Sequence, residues 1–310
     1  MQDENTPTPA ESPDGHSPDD LAPTSARGLV ALAAFDGWND AGGAATAALQ
    51  FIAEDWESEV LYSLDPEEFH DLQVNRPRVE RGPDGERRLT FPTTTVTRVT
   101  SPDGDTLVLV QGVEPSVRWT KYCGEILQAL LDAGVETLIS VGALLADVPH
   151  TRPIPVSSSS EDPAVQEALG VQATDYEGPT GIVGVLTTLG QDRGLDTLGM
   201  WAAVPHYVAQ PPSPKATLAL IVALEDLTGF ALPTRDLAED SEAWQRAVDE
   251  LANEDSDVAE YVEMLENSKD TAELPEASGE AIAREFERYL RRRDDGNPPK
   301  GSGNVPPGSR

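Results

Sequence analysis

The feature that most constrains this chain is a run of seven apolar residues, LVALAAF at 29–35, followed at once by an alanine-rich stretch with helical spacing. A continuous apolar run of strand length is what a strand covered on both faces requires, and Ala44, Ala48 and Phe51 recur at the spacing of one helix face. Residues 29–55 therefore read as a β-α unit in which the strand is buried from above and below.

The pattern repeats. Residues 59–64, 88–98 and 106–111 read as strands, with a turn at Ser101-Pro102-Asp103-Gly104 and a second Asp-Gly turn at 84–85 that fits a hairpin or loop on the sheet edge. Residues 120–133 place Tyr122, Ile126 and Leu130 on one helix face and stop at Gly134. A buried strand follows at 135–141, then a helix at 162–169, an apolar segment at 181–189 and a strand at 199–204. Ser213 and Pro214 sit as N-cap and N1 of a helix that Gly229 ends. Apolar strands alternating with helices predict an α/β fold with three layers, αβα, around a mostly parallel sheet in a core of residues 28–232.

Beyond Pro233 the strand pattern ceases. Three short amphipathic helices are expected, anchored by Trp244, Val248 and Leu251, by Val258, Tyr261 and Leu265, and by Ile282, Phe286 and Leu290. They form an acidic helical appendage at 233–293, with Glu280/Arg284 and Glu287/Arg291 spaced as surface pairs. Residues 1–27 and 294–310 are rich in Pro, Asp, Gly and Ser without periodicity, so both read as disordered tails.

Charge and cysteine content limit the function classes. The formal net charge of -33 argues against a nucleic-acid or anionic-membrane partner, which needs clustered Lys and Arg. Cys123 is the one cysteine, so neither an internal disulfide nor a cysteine zinc site is expected, and a reducing, cytoplasmic location fits. The first 25 residues carry six acids and no Lys or Arg, unlike an export signal. No run approaches the roughly 18 apolar residues of a membrane span.

Four segments lie where strands are expected to end. Asp36, Trp38, Asn39 and Asp40 open the first helix, but the glycine spacing there is neither of the phosphate-binding patterns and no Lys stands nearby. The other reading is a tight turn with Asp40 as N-cap. Asp147, His150 and Arg152 follow a later strand, and a His beside an Asp can act as a base while an Arg can clamp an anion; the other reading is a structural hydrogen-bonding role for His150 and Arg152. Tyr176 precedes the apolar segment, and His206 follows the last strand. Together these nine residues form a candidate crevice. No nucleophile elbow is present, Cys123 lies in a predicted helix, and His70, His150 and His206 lack metal-ligand spacing, so neither a catalytic nucleophile, a metal nor a cofactor is expected.

The order of Gly37-Trp38-Asn39-Asp40-Ala41-Gly42, of Asp65-Pro66-Glu67-Glu68-Phe69 with Arg76-Pro77, of residues 142–153, and of Pro205-His206-Tyr207-Val208 with 211–216 resembles the proteasome assembly chaperone 2 family. The resemblance spans about residues 29–229, and the segments at 278–283 and 285–288 are similar to a helical extension of its bacterial branch. It implies a core similar to the nucleoside phosphorylase fold, a homo-oligomer, and a non-enzymatic chaperone or scaffold that binds proteasome α subunits or another protein client. The alternative is a small-molecule-binding protein or enzyme that uses the crevice. Relatives that dock through a C-terminal hydrophobic-Tyr-any tail differ from this sequence, which ends Asn304-Val305-Pro306-Pro307-Gly308-Ser309-Arg310.

Overall fold

The structure, a computed structural model, describes residues 28–82 and 84–273. In chain order it contains β1 (Leu29–Asp36), α1 (Ala44–Asp55), β2 (Glu57–Ser63), α2 (Pro66–Phe69), β3 (Arg78–Arg81), β4 (Arg87–Thr90), β5 (Thr95–Thr100), β6 (Thr106–Val113) and α3 (Trp119–Asp132). There follow β7 (Val135–Ala146), β8 (Val156–Ser159), α4 (Pro163–Leu169), α5 (Ile182–Gln191), β9 (Asp196–Pro205), α6 (Pro214–Thr228), α7 (Leu237–Glu254) and α8 (Ser256–Glu273).

Seven strands form one sheet in the order β2-β5-β6-β1-β7-β9-β8. The central four, β6, β1, β7 and β9, pair in parallel, while β5 and β8 run against their neighbours. Because β2 opposes β5, five of the seven strands point the same way. Alternate residues of β1 feed two cores, as the two-residue period of a strand requires. Val30, Leu32 and Ala34 pack with α1 and α6 on one face, and Ala31, Ala33 and Phe35 pack with α3 and α5 on the other. These are the three expected layers. The carboxyl ends of β6, β1, β7 and β9 all reach the same edge of the sheet.

Several local expectations change. The single strand expected at 88–98 is two: β4 pairs with β3 in a separate hairpin, β5 joins the main sheet, and Phe91-Pro92 lies between them. Proline has no N–H for a ladder, which explains the break. The strand expected to stop at Val141 runs on to Ala146, paired with β9 along its length. The apolar segment at 181–189 is helix α5. Strand β8 went unforeseen because Val156–Ser159 is short and mostly serine.

The helical part past Pro233 also differs. Its described portion is two helices of 18 residues each, α7 and α8. Leu237, Val248 and Ala252 of α7 are buried, with Leu237 joining the α1/α6 core, whereas Leu251, expected as an anchor, is exposed. Val262 and Leu265 of α8 are buried. The appendage thus packs on the core through α6 and α7. The expected third helix with Ile282, Phe286 and Leu290, the pairs Glu280/Arg284 and Glu287/Arg291, and both tails lie outside the described residues. Among the described residues no helix is long and apolar enough to cross a membrane.

Candidate functional site

Six of the nine residues singled out in the sequence gather in two groups at the carboxyl edge: Asn39 and Asp40 in one, and Asp147, His150, Arg152 and His206 in the other. The first lies where β1, β6, β7 and α5 meet. Asn39 is 2% exposed, and its backbone carbonyl accepts from Ala143 N–H at 2.8 Å, which ties the loop after β1 to β7. Its side-chain amide donates to Glu114 Oε1 at 3.0 Å, and the same oxygen accepts from Ile182 N–H at 2.9 Å. Glu114 therefore satisfies a free N–H at the positive end of α5, where a carboxylate is favoured. Gly181 lies so close to the Asn39 amide that a Cβ would sit 2.2 Å from its oxygen, so only glycine fits there.

Asp40 acts on the opposite side. Its carboxylate accepts from Ala45 N–H at 2.7 Å and Thr46 N–H at 3.3 Å, and from the Thr46 hydroxyl. It caps α1 as expected, but from ahead of a 3-10 turn at Ala41–Gly43, because the formal N-cap position belongs to Gly43. Burial raises the pKa of this carboxyl even though the Thr46 and Ala45 hydrogen bonds work in the other direction. Gly42, at φ 64°, lets the turn press against Ser213, whose N–H donates to the Gly42 carbonyl at 2.9 Å. Ser213 holds the expected N-cap position of α6, yet its buried hydroxyl finds no partner among the described residues. Asp36, Trp38 and Tyr176 are exposed, and the Tyr176 hydroxyl donates to the Pro179 carbonyl at 2.9 Å.

The second group lies beneath α7 and α8. His150 is 1% exposed. Tyr207 Oη stands 2.8 Å from both the His150 backbone nitrogen and Nδ1, and Asp249 Oδ1 of α7 lies 3.0 Å from Nε2. The backbone N–H donates to the Tyr207 oxygen, and because a carboxylate only accepts, Nε2 carries the proton that meets Asp249. In the neutral ring Nδ1 is then left to accept from the Tyr207 hydroxyl. Burial lowers the His150 pKa, with Asp249 pulling the other way. Burial likewise pushes the Tyr207 phenol up to about 12 and lowers Lys215. Lys215 Nζ donates to the His150 carbonyl at 2.5 Å and to Gln245 of α7 at 2.6 Å.

Arg152 and Thr151 both donate to Glu266 of α8, Arg152 at 3.2 Å. Asp147 accepts from Tyr261 of α8 at 3.1 Å and lies 3.3 Å from His206 Nδ1. The rings of His150, Tyr207, His206, Tyr261 and Trp244 meet edge to face. Glu114, Tyr207, Lys215, Asp249, Tyr261 and Glu266 do not stand out in the sequence as partners of these residues. Glu114 and Tyr207 at least follow strand ends; nothing local marks Asp249 or Glu266, which lie 99 and 114 residues from the side chains they meet.

This arrangement has clear chemical consequences. Every hydrogen bond named for His150, Arg152 and Asp147 holds α7 or α8 to the core or fixes a neighbouring ring, as positioning contacts do. Cys123 is buried in α3 with its pKa pushed up to about 12, so its thiol stays protonated and unreactive. Among the described residues no group of three His, Cys, Asp or Glu is placed to hold a metal. A cavity of about 260 Å³ is lined by Leu61, Tyr62, Arg98, Ala129, Asp132 and Ala133, none of them among the nine residues.

Comparison with known proteins decides the family. The PAC2 family model matches residues 34–252, including both groups of the strand-end site. The chain belongs to the PAC2 family. A PAC2 family protein from Streptomyces avermitilis is 48% identical over 76% of this chain and 100% of its own, with a TM-score of 0.71. A proteasome-assembly chaperone homologue from Mycobacterium tuberculosis is 44% identical over the same shares, with a TM-score of 0.68. An archaeal proteasome activator from Pyrococcus furiosus shares the fold at 14% identity, over 72% of this chain and 93% of its own, with a TM-score of 0.57. No curated protein matches. The PAC2 match continues through α7 nearly to its end, so the helix that covers His150 lies within the family's extent.

Proposed function

We propose that this PAC2 family member is a cytoplasmic, protein-binding assembly factor that works as a homo-oligomer and engages proteasome α subunits without catalysing a reaction. The observation that carries the reading is its 44% identity to the Mycobacterium tuberculosis proteasome-assembly chaperone homologue, whose whole length it covers. The chemistry of the strand ends supports it. A base in catalysis has to reach a substrate proton, yet the two nitrogens of His150 already face Tyr207 and Asp249. Glu114 is engaged by Asn39 and α5, and Arg152 by Glu266. These side chains build the fold and leave the surrounding surface for recognition.

The test is recovery of the tagged protein expressed at its native level, with mass spectrometry of the intact complexes. Proteasome α subunits in fixed ratio to the chain are the expected result. Their repeated absence, or recovery of a tightly held small molecule in their place, would replace this reading with the crevice-ligand one.

A further inference from the structure

We propose that the rim of the sheet around the Asn39–Ala143 hydrogen bond is a docking surface for a partner-protein segment that presents an apolar side chain flanked by Lys or Arg. The proposal rests on the reading that the chain binds a protein, and adds which face does so and what chemistry it selects. Three segments converge there. The loop after β1 is joined to β7 through Asn39 and Ala143, and Gly181 at the head of α5 abuts the Asn39 side chain. Each segment exposes a large side chain within a few residues of that junction. Trp38 is 69% exposed, Leu144 44% and Tyr176 61%.

Strand alternation places Leu144 on the same sheet face as Gly142. Trp201, which belongs to the α3/α5 core, lays its ring over Gly142, so Leu144 lies on the α5 side, where Asn39 and Gly181 meet. Exposed Trp, Leu and Tyr on three segments that meet at one junction are unusual on a surface with nothing to bind, and aromatic anchors carry much of the energy at protein interfaces. The junction itself is tied to the core: Asn39 is buried and bonded through its carbonyl and its amide, so little ordering remains to be done there on binding.

Charge selects the occupant. The segments 36–43, 142–149 and 172–181 hold the exposed carboxylates Asp36, Asp147, Asp175 and Glu177 and contain no Lys or Arg. An apolar anchor bordered by acids attracts a cationic partner and repels an acidic one. A second copy of this chain, at a net charge of -33, is the poorer complement.

The test uses the full chain and synthetic peptides with a Leu or Phe centre flanked by Lys and Arg, compared with the charge-swapped sequence and with a serine-centred one. Trp38 is the reporter, because it is more exposed than the other described tryptophans. Acrylamide quenching should fall on binding, and Trp38→Phe should remove that signal. The cationic apolar peptide should bind at least about tenfold more tightly than either control, and weaken as salt rises from about 50 to 300 mM. Leu144→Ala with Tyr176→Ser should cost a further tenfold or so, while Leu251→Ser, on the exposed face of α7, should cost nothing.

Equal binding of the charge-swapped peptide, or native binding by the Leu144/Tyr176 variant, would overturn the proposal. So would self-association that shields Trp38 and is lost in that variant, which would make the occupant a second copy. If α subunits are recovered equally well by the Leu144/Tyr176 variant, the face is wrong and the function stands. If the peptide results hold but α subunits are never recovered, the surface stands and the partner is another protein.

Discussion

Replacing His150 with alanine separates a structural histidine from a catalytic one. The ring is 1% exposed, packs edge to face with Tyr207 and Trp244, and hydrogen-bonds at both nitrogens. Truncating a buried ring costs about 3–5 kcal/mol through lost contacts and the cavity left behind. His150 falls near the lower end, because Asp249 is 41% exposed and regains water once its partner is gone. Tyr207 keeps the backbone N–H of residue 150 but loses the acceptor for its proton, a loss of about 1 kcal/mol within that total. The expected destabilisation is about 3 kcal/mol, or roughly 6–12 °C in melting temperature for a chain of this size. His206→Ala should cost less than about 1 kcal/mol, because its contact with Asp147 is a surface pair, the two side chains being 44% and 79% exposed. Urea titrations followed by circular dichroism, with unchanged slopes, give both numbers. Equal costs for the two, or a His150→Ala loss below about 1 kcal/mol, would refute the structural assignment.

Other expectations follow from the same contacts. Because burial lowers the His150 pKa in the fold, the unfolded chain binds the proton first; stability is complete above the ordinary value of 6.5 and declines as pH falls from there toward the folded pKa, by up to about 1.4 kcal/mol per pH unit. Urea midpoints between pH 8 and 5 check this, and His150→Ala should reduce the slope, leaving the share of His70, whose pKa burial also lowers. Gly42→Ala puts a Cβ 2.6 Å from that of Ser213 at a φ of 64° and should cost about 1–3 kcal/mol by the same assay. Glu114→Ala leaves Asn39 and the α5 N-terminus without their shared acceptor; a loss of about 1–3 kcal/mol is expected, with faster hydrogen exchange in the first turn of α5.

Much of the fold was legible because its signals are local. The apolar runs of β1 and β9, the Ser213-Pro214 start and Gly229 stop of α6, and the turn before β6 each declare themselves within a few residues. What escaped was non-local or weakly patterned. Strand β8 is recognisable only through its pairing with β9, and although Pro92 marks the break between β4 and β5, that the two halves join different sheets shows only in their pairing. The site was half legible. Sequence position placed Asn39, His150, Arg152 and His206 at strand ends, but their partners Glu114, Asp249 and Glu266 come from distant elements. No period or motif connects His150 to a carboxylate on α7, and without that contact a buried structural histidine looks like a base awaiting a substrate.

The proposed binding of proteasome α subunits by this PAC2 family protein can be tested directly. The most direct measurement is sedimentation velocity of the purified full chain mixed with purified α subunits from the same organism, each at about 10 µM, well above a micromolar dissociation constant. The account predicts a new, faster species of fixed stoichiometry that draws on both components. Two independently sedimenting species across the whole mixing range would contradict it.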